Sequence, residues 1–549
     1  MPHVVTQPCC GDASCVFACP VNCIHPTPDE PDFATAEMVY IDPVSCVDCG
    51  ACVKACPVGA IKPHTKLGDD ELVFLELNAL FHADSDAGNG LESATRRAQA
   101  PVPPVVRVPE GTALDVAIVG AGPAALYAAD ELLKQHGVRV TVLDRLPTPH
   151  GLVRAGVAPD HQHTKDIGKL FAKIEAQPGF EYRLGVEVGS DVTHDELLAS
   201  HDAVVYATGA PADRQVGVPG EELPGTATAT EVVAWYNGHP DHVEAPLDLS
   251  AERVVVVGNG NVALDVARVV LSEPDELART DIADHALSAL RASAVREVVL
   301  VARRGPAQAA FTVPEMVGLL QHPDIDVVVE QRELLDGDDQ KSALLRDGSV
   351  PAIDPTRRRV VLRFLAAPEA VVGEHAVEGL RVVRTALETR PDGTVVAVPT
   401  GECEVIETTS VLRSVGYRST PIPGVPFDPA LHRIPNVAGR VLAQPAGDLL
   451  PRTYVVGWAK RGPTGFIGTN KSCSLETVNA LLADVATGRI APAGRARPVL
   501  TDGASMDRAD WLLLDAHERR AGREQGRPRR KVVDRLTMVD VVRSARAAR

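Results

Sequence analysis

Residues 115–133 read DVAIVGAGPAALYAADELL, and residues 253–271 read RVVVVGNGNVALDVARVVL. In each, a β-branched run predicts a buried strand, a glycine-rich turn follows, and an apolar stretch of helical period takes over. Strand–loop–helix alternation is the signature of an α/β fold, and two such openings predict two Rossmann-like nucleotide-binding units. In the first, Gly120 allows the tight turn, Gly122 lets a pyrophosphate approach the backbone, and Ala125 stands for the third glycine. Free N–H groups at the start of the helix then favour the anion. The next strand, VTVLD, ends at Asp144, 22 residues beyond Gly122, where a carboxylate can accept hydrogen bonds from a ribose.

The second unit runs Gly258-Asn259-Gly260-Asn261-Val262-Ala263, and its following strand, REVVLVARRGP, ends in Arg303-Arg304 instead of an acid. A carboxylate there binds the 2′-hydroxyl of NAD and repels a phosphate, whereas two guanidinium groups offer bidentate bonds to a 2′-phosphate. NADP(H) is therefore the expected ligand, the alternative being two ordinary surface cations. An inserted segment, EPDELARTDIADHALSALRASA, lengthens this crossover.

Nine of the eleven cysteines fall in the first 56 residues, and Cys403 and Cys473 stand alone. Such crowding points to metal ligation more than to scattered core thiols or disulfides. The segment is an internal repeat: Cys9, Asp12, Cys15 and Cys19-Pro20 recur 37 residues later as Cys46, Cys49, Cys52 and Cys56-Pro57. The second copy is the bacterial iron–sulfur run, whose fourth cysteine ligates the other cluster. By that crossover Cys46, Cys49, Cys52 and Cys19 hold one 4Fe–4S cluster, and Cys9, Cys15 and Cys56 hold the second. Asp12 stands where the repeat mate has Cys49, and carboxylate is a harder ligand than thiolate. The second centre is thus expected as 3Fe–4S, or as 4Fe–4S with Asp12 or water on the labile iron. Cys10 is a rival ligand one residue off register, and Cys23 reads as a non-ligand. Zinc sites use four ligands in separated pairs, which two interlocked fours do not resemble.

At 549 residues the chain has room for about three domains. With 45% hydrophobic residues it is not a disordered chain, and no run of about 18 apolar residues predicts a membrane span. MPHVVTQPCC lacks the charged and apolar regions of a secretory signal, so a cytoplasmic location is expected. A net charge of −18 argues against nucleic-acid binding. The charge is uneven: residues 1–82 carry eleven acids, three lysines and no arginine, while residues 517–549 carry eleven Lys/Arg against four acids. That contrast makes the basic segment one candidate dock for the N-terminal module, the other reading being a solvated tail.

Beyond these single motifs, GLVRAGVAPDH (151–161), PGEELPG (219–225), WYNGHP (235–240), GNGNVALDVAR (258–268), RRGPAQAAFT (303–312) and GWAKRGPTGFI (457–467) closely resemble adrenodoxin reductase, a family of NADPH-dependent, FAD-containing ferredoxin reductases. With the cysteine module in front, the chain resembles the bacterial ferredoxin/ferredoxin–NADP reductase fusions. The resemblance implies an α+β two-cluster ferredoxin at 1–82, a linker at 83–112, an FAD domain in two parts (113–212 and 420–500) interrupted by an NADP domain at 213–419, and a C-terminal extension with a basic tail at 501–549. By motif position it brings Ala124, Asp144, Leu152, Val188, Trp458, Gly465, Phe466 and Ile467 to FAD, beside Gly120 and Gly122. It brings Asn259, Gly260, Asn261, Val262, Arg303, Arg304, Glu315 and Gly465 to NADP, and His161 and Asp265 near the meeting point of the two, where they orient the nicotinamide. The competing roles are a structural histidine, a helix-capping aspartate and a core tryptophan. Asp144 replaces the family's usual Glu, and Pro314 disturbs the pattern next to Glu315.

The function implied is electron transfer from NADPH through FAD to iron–sulfur centres, in this module or in a separate ferredoxin, feeding a P450-type or other redox partner. A disulfide reductase of the thioredoxin-reductase kind needs a paired CxxC that residues 57–549 lack. A glutamate-synthase-small-subunit-like input chain and a nucleotide-binding carrier without turnover are the alternatives.

Overall fold

The valine run Arg253–Val257 is a central strand of a six-stranded, all-parallel sheet, ordered Thr226–Thr228, Val411–Arg413, Arg253–Val257, Glu297–Val301, Arg358–Arg363, Ile325–Val329. Both faces of such a sheet are covered, which is why its strands are continuous apolar runs. The structure, a computed structural model, describes residues 2–85, 99–351, 354–492 and 505–548.

The strand Leu114–Val119 belongs to a second sheet of seven strands, in which it pairs in parallel with Val138–Asp144 and Ala203–Tyr206. Phe180–Leu184 and Leu449–Val455 extend it in parallel, and Arg440–Leu442 and Asn436–Val437 finish it as an antiparallel edge. This sheet draws its strands from 114–206 and 436–455, and the six-stranded sheet lies within 226–413. A short antiparallel pair, Ala212–Asp213 with Tyr417–Arg418, ties the two chain crossings together. A three-stranded antiparallel sheet, Ala366–Val372, Gly379–Thr389 and Val395–Glu407, attaches to the six-stranded one.

The N-terminal segment folds as two copies of one local shape. Helices Ser14–Ala18 and Ala51–Ala55 carry Cys15 and Cys52, and Cys19 and Cys56 cap their C-termini in the same extended conformation. Left-handed backbone recurs at the repeat spacing, at Gly11 and Ala13 and again at Asp48 and Gly50. The helix Val73–Ser85 closes the module through buried Asn78, whose Oδ1 accepts from Val5 N (3.2 Å) and Ile41 N (2.9 Å). The helix runs past the expected start of the linker at 83. Of the linker, 86–98 lies outside the described residues, as do 493–500 of the expected second FAD segment and 501–504 of the extension. Val106 and Val108 lie against the seven-stranded sheet's core, held by Asn479 and Gln135.

The described part of the C-terminal segment is not a solvated tail. Its helices Arg508–Arg523 and Arg535–Ala547 bury Trp511, Leu514, Met538 and Val542 in the core of the seven-stranded sheet. Met506 exchanges two backbone hydrogen bonds with Leu184, both 2.9 Å. The basic residues serve internal pairs: Arg154 and Arg529 converge on fully buried Glu518 at 2.6 and 2.9 Å, and Arg546 grips Asp510 at 2.5 Å. Other basic residues of the segment pair far along the chain, Arg527 and Arg530 with Asp284 and Lys531 with Asp281, so their partners are invisible locally.

Candidate functional site

The repeated loops form two cavities. One is lined by Cys19, Cys46, Cys49 and Cys52, with Cys23 and His3. The other is lined by Cys9, Cys15 and Cys56, with Cys10 and Asp12. Each cavity thus takes one cysteine from the opposite repeat. Burial pushes the Cys9 and Cys52 thiols up to about 11, while hydrogen bonds led by that of Cys23 hold Cys19 down at about 5. Thiols gathered this closely do not ionise together without a cation, and an iron centre supplies one. The donor sets fit iron–sulfur centres: four thiols of the predicted set in the first cavity, three in the second. Asp12 is otherwise engaged, because its Oδ1 accepts from Ser14 N (3.1 Å) and its Oδ2 from Ser14 Oγ (2.5 Å) and faces Lys471 Nζ at 3.6 Å.

Both glycine loops lie at the C-terminal ends of their parallel strands, where α/β sheets bind ligands. Gly120 (φ +103°) lies so close to the next strand that a Cβ would stand 2.5 Å from Ala207 O, while Gly122 faces open space. The helix Pro123–Leu133 begins with Gly122 as its N-cap, leaving its first N–H groups free for an anion. Asp144 is half-buried and desolvation raises its carboxyl; its oxygens accept from Ala121 N (2.7 Å) and Leu146 N (2.8 Å). Each oxygen keeps a lone pair for a ribose hydroxyl. Next to this loop stand Ala124, whose carbonyl accepts from Ser474 Oγ at 2.9 Å, and Leu152, 42% exposed at the N-terminus of a short helix. Trp458 donates to Thr464 O at 3.1 Å and lies 5.3 Å from the Tyr417 ring. Val188 is half-buried in the turn after Phe180–Leu184, and Gly465, Phe466 and Ile467 form the loop before the helix Thr469–Ala486.

In the second loop a Cβ on Gly258 (φ +122°) would stand 2.2 Å from Ser414 O, and Gly260 caps the helix Asn261–Leu271, whose first residues are Asn261 and Val262. Asn259 and Asn261 bind protein: their Oδ1 atoms accept from Ala310 N (3.2 Å) and Thr312 N (2.8 Å), pinning the RRGPAQAAFT segment beside the glycines. Arg303 and Arg304 follow the strand Glu297–Val301, next to Arg253–Val257, with exposed side chains.

Between the loops His161, Asp265 and Glu315 meet around an arginine that sequence reading did not single out. Buried Arg268 reaches Asp160 (2.5 Å), Asp265 (2.7 Å), His161 Nε2 (2.9 Å) and Glu315 (3.9 Å). A guanidinium only donates, so His161 Nε2 is the acceptor and the ring proton lies on Nδ1. Burial opposes ionisation of Asp160, but Arg268 outweighs it and holds the carboxyl well below its usual range; burial raises that of Glu315. Pro314 occupies the first turn of the helix Val313–Leu320, where proline costs no hydrogen bond, so Glu315 is presented from an ordinary helix.

The cysteine module touches both halves of this region. Gln7 Nε2 donates to Glu315 Oε2 (3.3 Å), Val313 N donates to Glu37 (2.7 Å), and Val313 and Val317 join the module's own core. On the other side Gly468 N donates to Cys10 O (2.7 Å) and Lys471 Nζ to Ser14 Oγ (2.8 Å). Sequence reading missed Arg268, Asp160, Lys471, Gln7 and Glu37. Asp265 and Arg268 at i, i+3 were the one local signal; the rest pair across hundreds of residues.

Residues 114–311 match the family model described as pyridine nucleotide-disulphide oxidoreductase, and residues 39–62 match the 4Fe-4S binding domain. The chain is 50% identical over 565 residues to the probable ferredoxin/ferredoxin–NADP reductase of Mycobacterium tuberculosis (strain ATCC 25618 / H37Rv), covering 99% of this chain and 96% of the relative. It is 43% identical over 445 residues to NADPH-ferredoxin reductase FprA of the same organism, covering 76% of this chain and 96% of that one. The structure of Mycobacterium tuberculosis FprA in complex with NADPH matches with TM-score 0.71 and 42% identity over 79% of this chain and all of that one. On this similarity along nearly its whole length, the chain belongs to the ferredoxin/ferredoxin–NADP reductase family.

Proposed function

We propose that the protein takes electrons from NADPH and passes them through FAD to its own iron–sulfur module and on to a one-electron redox partner, such as a separate ferredoxin or a P450-type system. The observation that carries this reading is the meeting of three features within a few side chains: the two glycine loops and the cysteine module docked against the 466–471 segment and Glu315. FAD belongs to the loop of Gly120 and Gly122 in a domain interrupted by the NADP domain, and NADPH to the loop of Gly258 and Gly260. The cysteines fit two clusters, one held by Cys46, Cys49, Cys52 and Cys19, the other by Cys9, Cys15 and Cys56. With Asp12 committed to Ser14 and Lys471, the second is proposed as 3Fe–4S. When bound, flavin accepts the two electrons of a hydride and releases them singly, which the pairing of a nicotinamide donor with iron–sulfur acceptors requires.

The chain's own part is positioning. Arg303 and Arg304 hold the 2′-phosphate, and the N-termini of the two helices face the pyrophosphates. Arg268 fixes His161, Asp265 and Glu315 as one hydrogen-bonded unit beside the nicotinamide, with the His161 proton on Nδ1. The docked module covers this region and excludes water. Seven cysteines given to iron, with no disulfide among the described residues, suit a reducing, cytoplasmic compartment.

Anaerobic titration of the purified protein with NADPH, followed by EPR, tests the reading. Bleaching of the flavin band together with cluster signals is expected; a yellow protein indifferent to NADPH, or one without iron, overturns it. Gly120→Ala is expected to cost about 1–3 kcal/mol, from strain at φ +103° and collision with Ala207 O, and to lower flavin content. Chemical denaturation and the ratio of flavin to protein absorbance check this.

A further inference from the structure

We propose that electrons enter the module at the cavity of Cys9, Cys15 and Cys56 and leave it from the cavity of Cys19, Cys46, Cys49 and Cys52, and that Lys471 is the positioning residue that holds the entry loop on the reductase. This rests on the function proposed above and adds an order to it. The two cavities differ in what their loops touch. The loop Cys10-Gly11-Asp12 lies on the segment after Phe466-Ile467: Gly468 N donates to Cys10 O at 2.7 Å. A Cβ on Gly468 would stand 2.1 Å from Asp12 N, so backbone meets backbone at the one residue that allows it. Cys10, Val58 and Ala60 share a core with Ala124 and Ala125 of the first glycine loop. One residue turn further on, Lys471 donates to Ser14 Oγ at 2.8 Å and faces Asp12 Oδ2 at 3.6 Å, closing the contact with charge.

The loop of the other cavity faces away. Val44 is 91% and Val47 58% exposed, and Cys49 is exposed beside them. Through exposed Cys49, this is the cavity that a redox partner protein can approach from solvent. Electron transfer slows steeply with distance, so a centre held by Cys9, Cys15 and Cys56 against the reductase would be filled first, and one held by Cys19, Cys46, Cys49 and Cys52 beneath the open face would pass electrons outward.

The electrons balance. Each NADPH gives up a hydride and becomes NADP⁺; its two electrons pass one at a time through the entry centre, the exit centre and two one-electron acceptor molecules, and the proton goes to solvent.

Lys471→Glu, made in the full-length holoprotein, tests the order, because Lys471 is in neither glycine loop. After anaerobic mixing with NADPH, flavin bleaching is expected at the wild-type rate. Freeze-trapped EPR is expected to show both centres reduced about tenfold more slowly, since they lie in series, with Lys471→Arg restoring the rate. An equilibrium redox titration is expected to move the potential of the entry centre alone. An exit centre reduced at the wild-type rate in Lys471→Glu, or one whose potential moves instead, overturns the order. If Lys471→Glu does not fold, Lys471→Gln is read by the same two measurements. Failure of the wild-type flavin to bleach with NADPH would fall on the proposed function and not on the route.

Discussion

Alanine at both Arg303 and Arg304 is expected to weaken NADPH binding by roughly a hundredfold or more and to leave NADH binding nearly unchanged. Hydrogen bonds to a charged partner are worth about 1.5–3 kcal/mol each, so losing both guanidinium groups removes roughly 3–6 kcal/mol from a 2′-phosphate and nothing from a hydroxyl. The geometry favours a clean result. Both side chains are exposed at the end of the strand Glu297–Val301, and the segment's backbone is held independently, by Thr385 Oγ1 on Arg303 O (2.7 Å) and by Asn259 and Asn261. Folding should therefore be unaffected. Steady-state reduction of ferricyanide with each nucleotide gives the selectivity ratio, and an unchanged preference for NADPH would assign the phosphate to other residues.

Asp281→Ala is expected to destabilise the protein by about 3–5 kcal/mol, the cost of leaving a buried charge without its partner. Asp281 binds two ammonium groups, half-buried Lys165 at 2.6 Å and buried Lys531 at 2.9 Å, and accepts from Gln162 at 2.9 Å. Lys165 precedes the six-stranded sheet in the chain and Lys531 lies in the C-terminal segment, so one carboxylate joins three distant parts of the fold. Burial disfavours its charge, but Lys165 and Lys531 outweigh this and hold the carboxyl well below the ordinary aspartate value. A depressed acid stabilises the fold fully above its unfolded pKa of about 3.9, and that contribution is lost as the pH falls below it. Unfolding by denaturant should show the full difference between wild type and variant at pH 7 and a shrinking one as the pH drops below about 4. A constant difference across that range would remove the charge from the explanation.

Much of the fold was legible before any coordinate. The two strand–glycine–helix openings appear in the structure at Leu114–Val119 and Arg253–Val257, each flanked by parallel strands on both sides. The 37-residue repeat reappears as paired helices and paired left-handed turns. Of the candidate site, the glycines, the cysteines and the arginine pair were readable, because each is defined by residue type at short spacing. Arg268 was not, since nothing local separates it from any helical arginine; only the approach of His161 and Glu315 from other segments gives it partners. The basic C-terminal segment misled for the same reason, since its acidic partners include Asp284 and Glu518, one of them far away along the chain.

By itself, then, the sequence determined the kinds of unit this protein contains: turn chemistry, hydrophobic period and ligand spacing act over a few residues and are written in order along the chain. Only the tertiary structure decided how the units meet: which cysteine cavity lies against Gly468, what surrounds His161, and where the C-terminal helices pack. Those contacts join residues hundreds of positions apart, and their energy depends on burial and distance, which exist only once the chain has closed on itself.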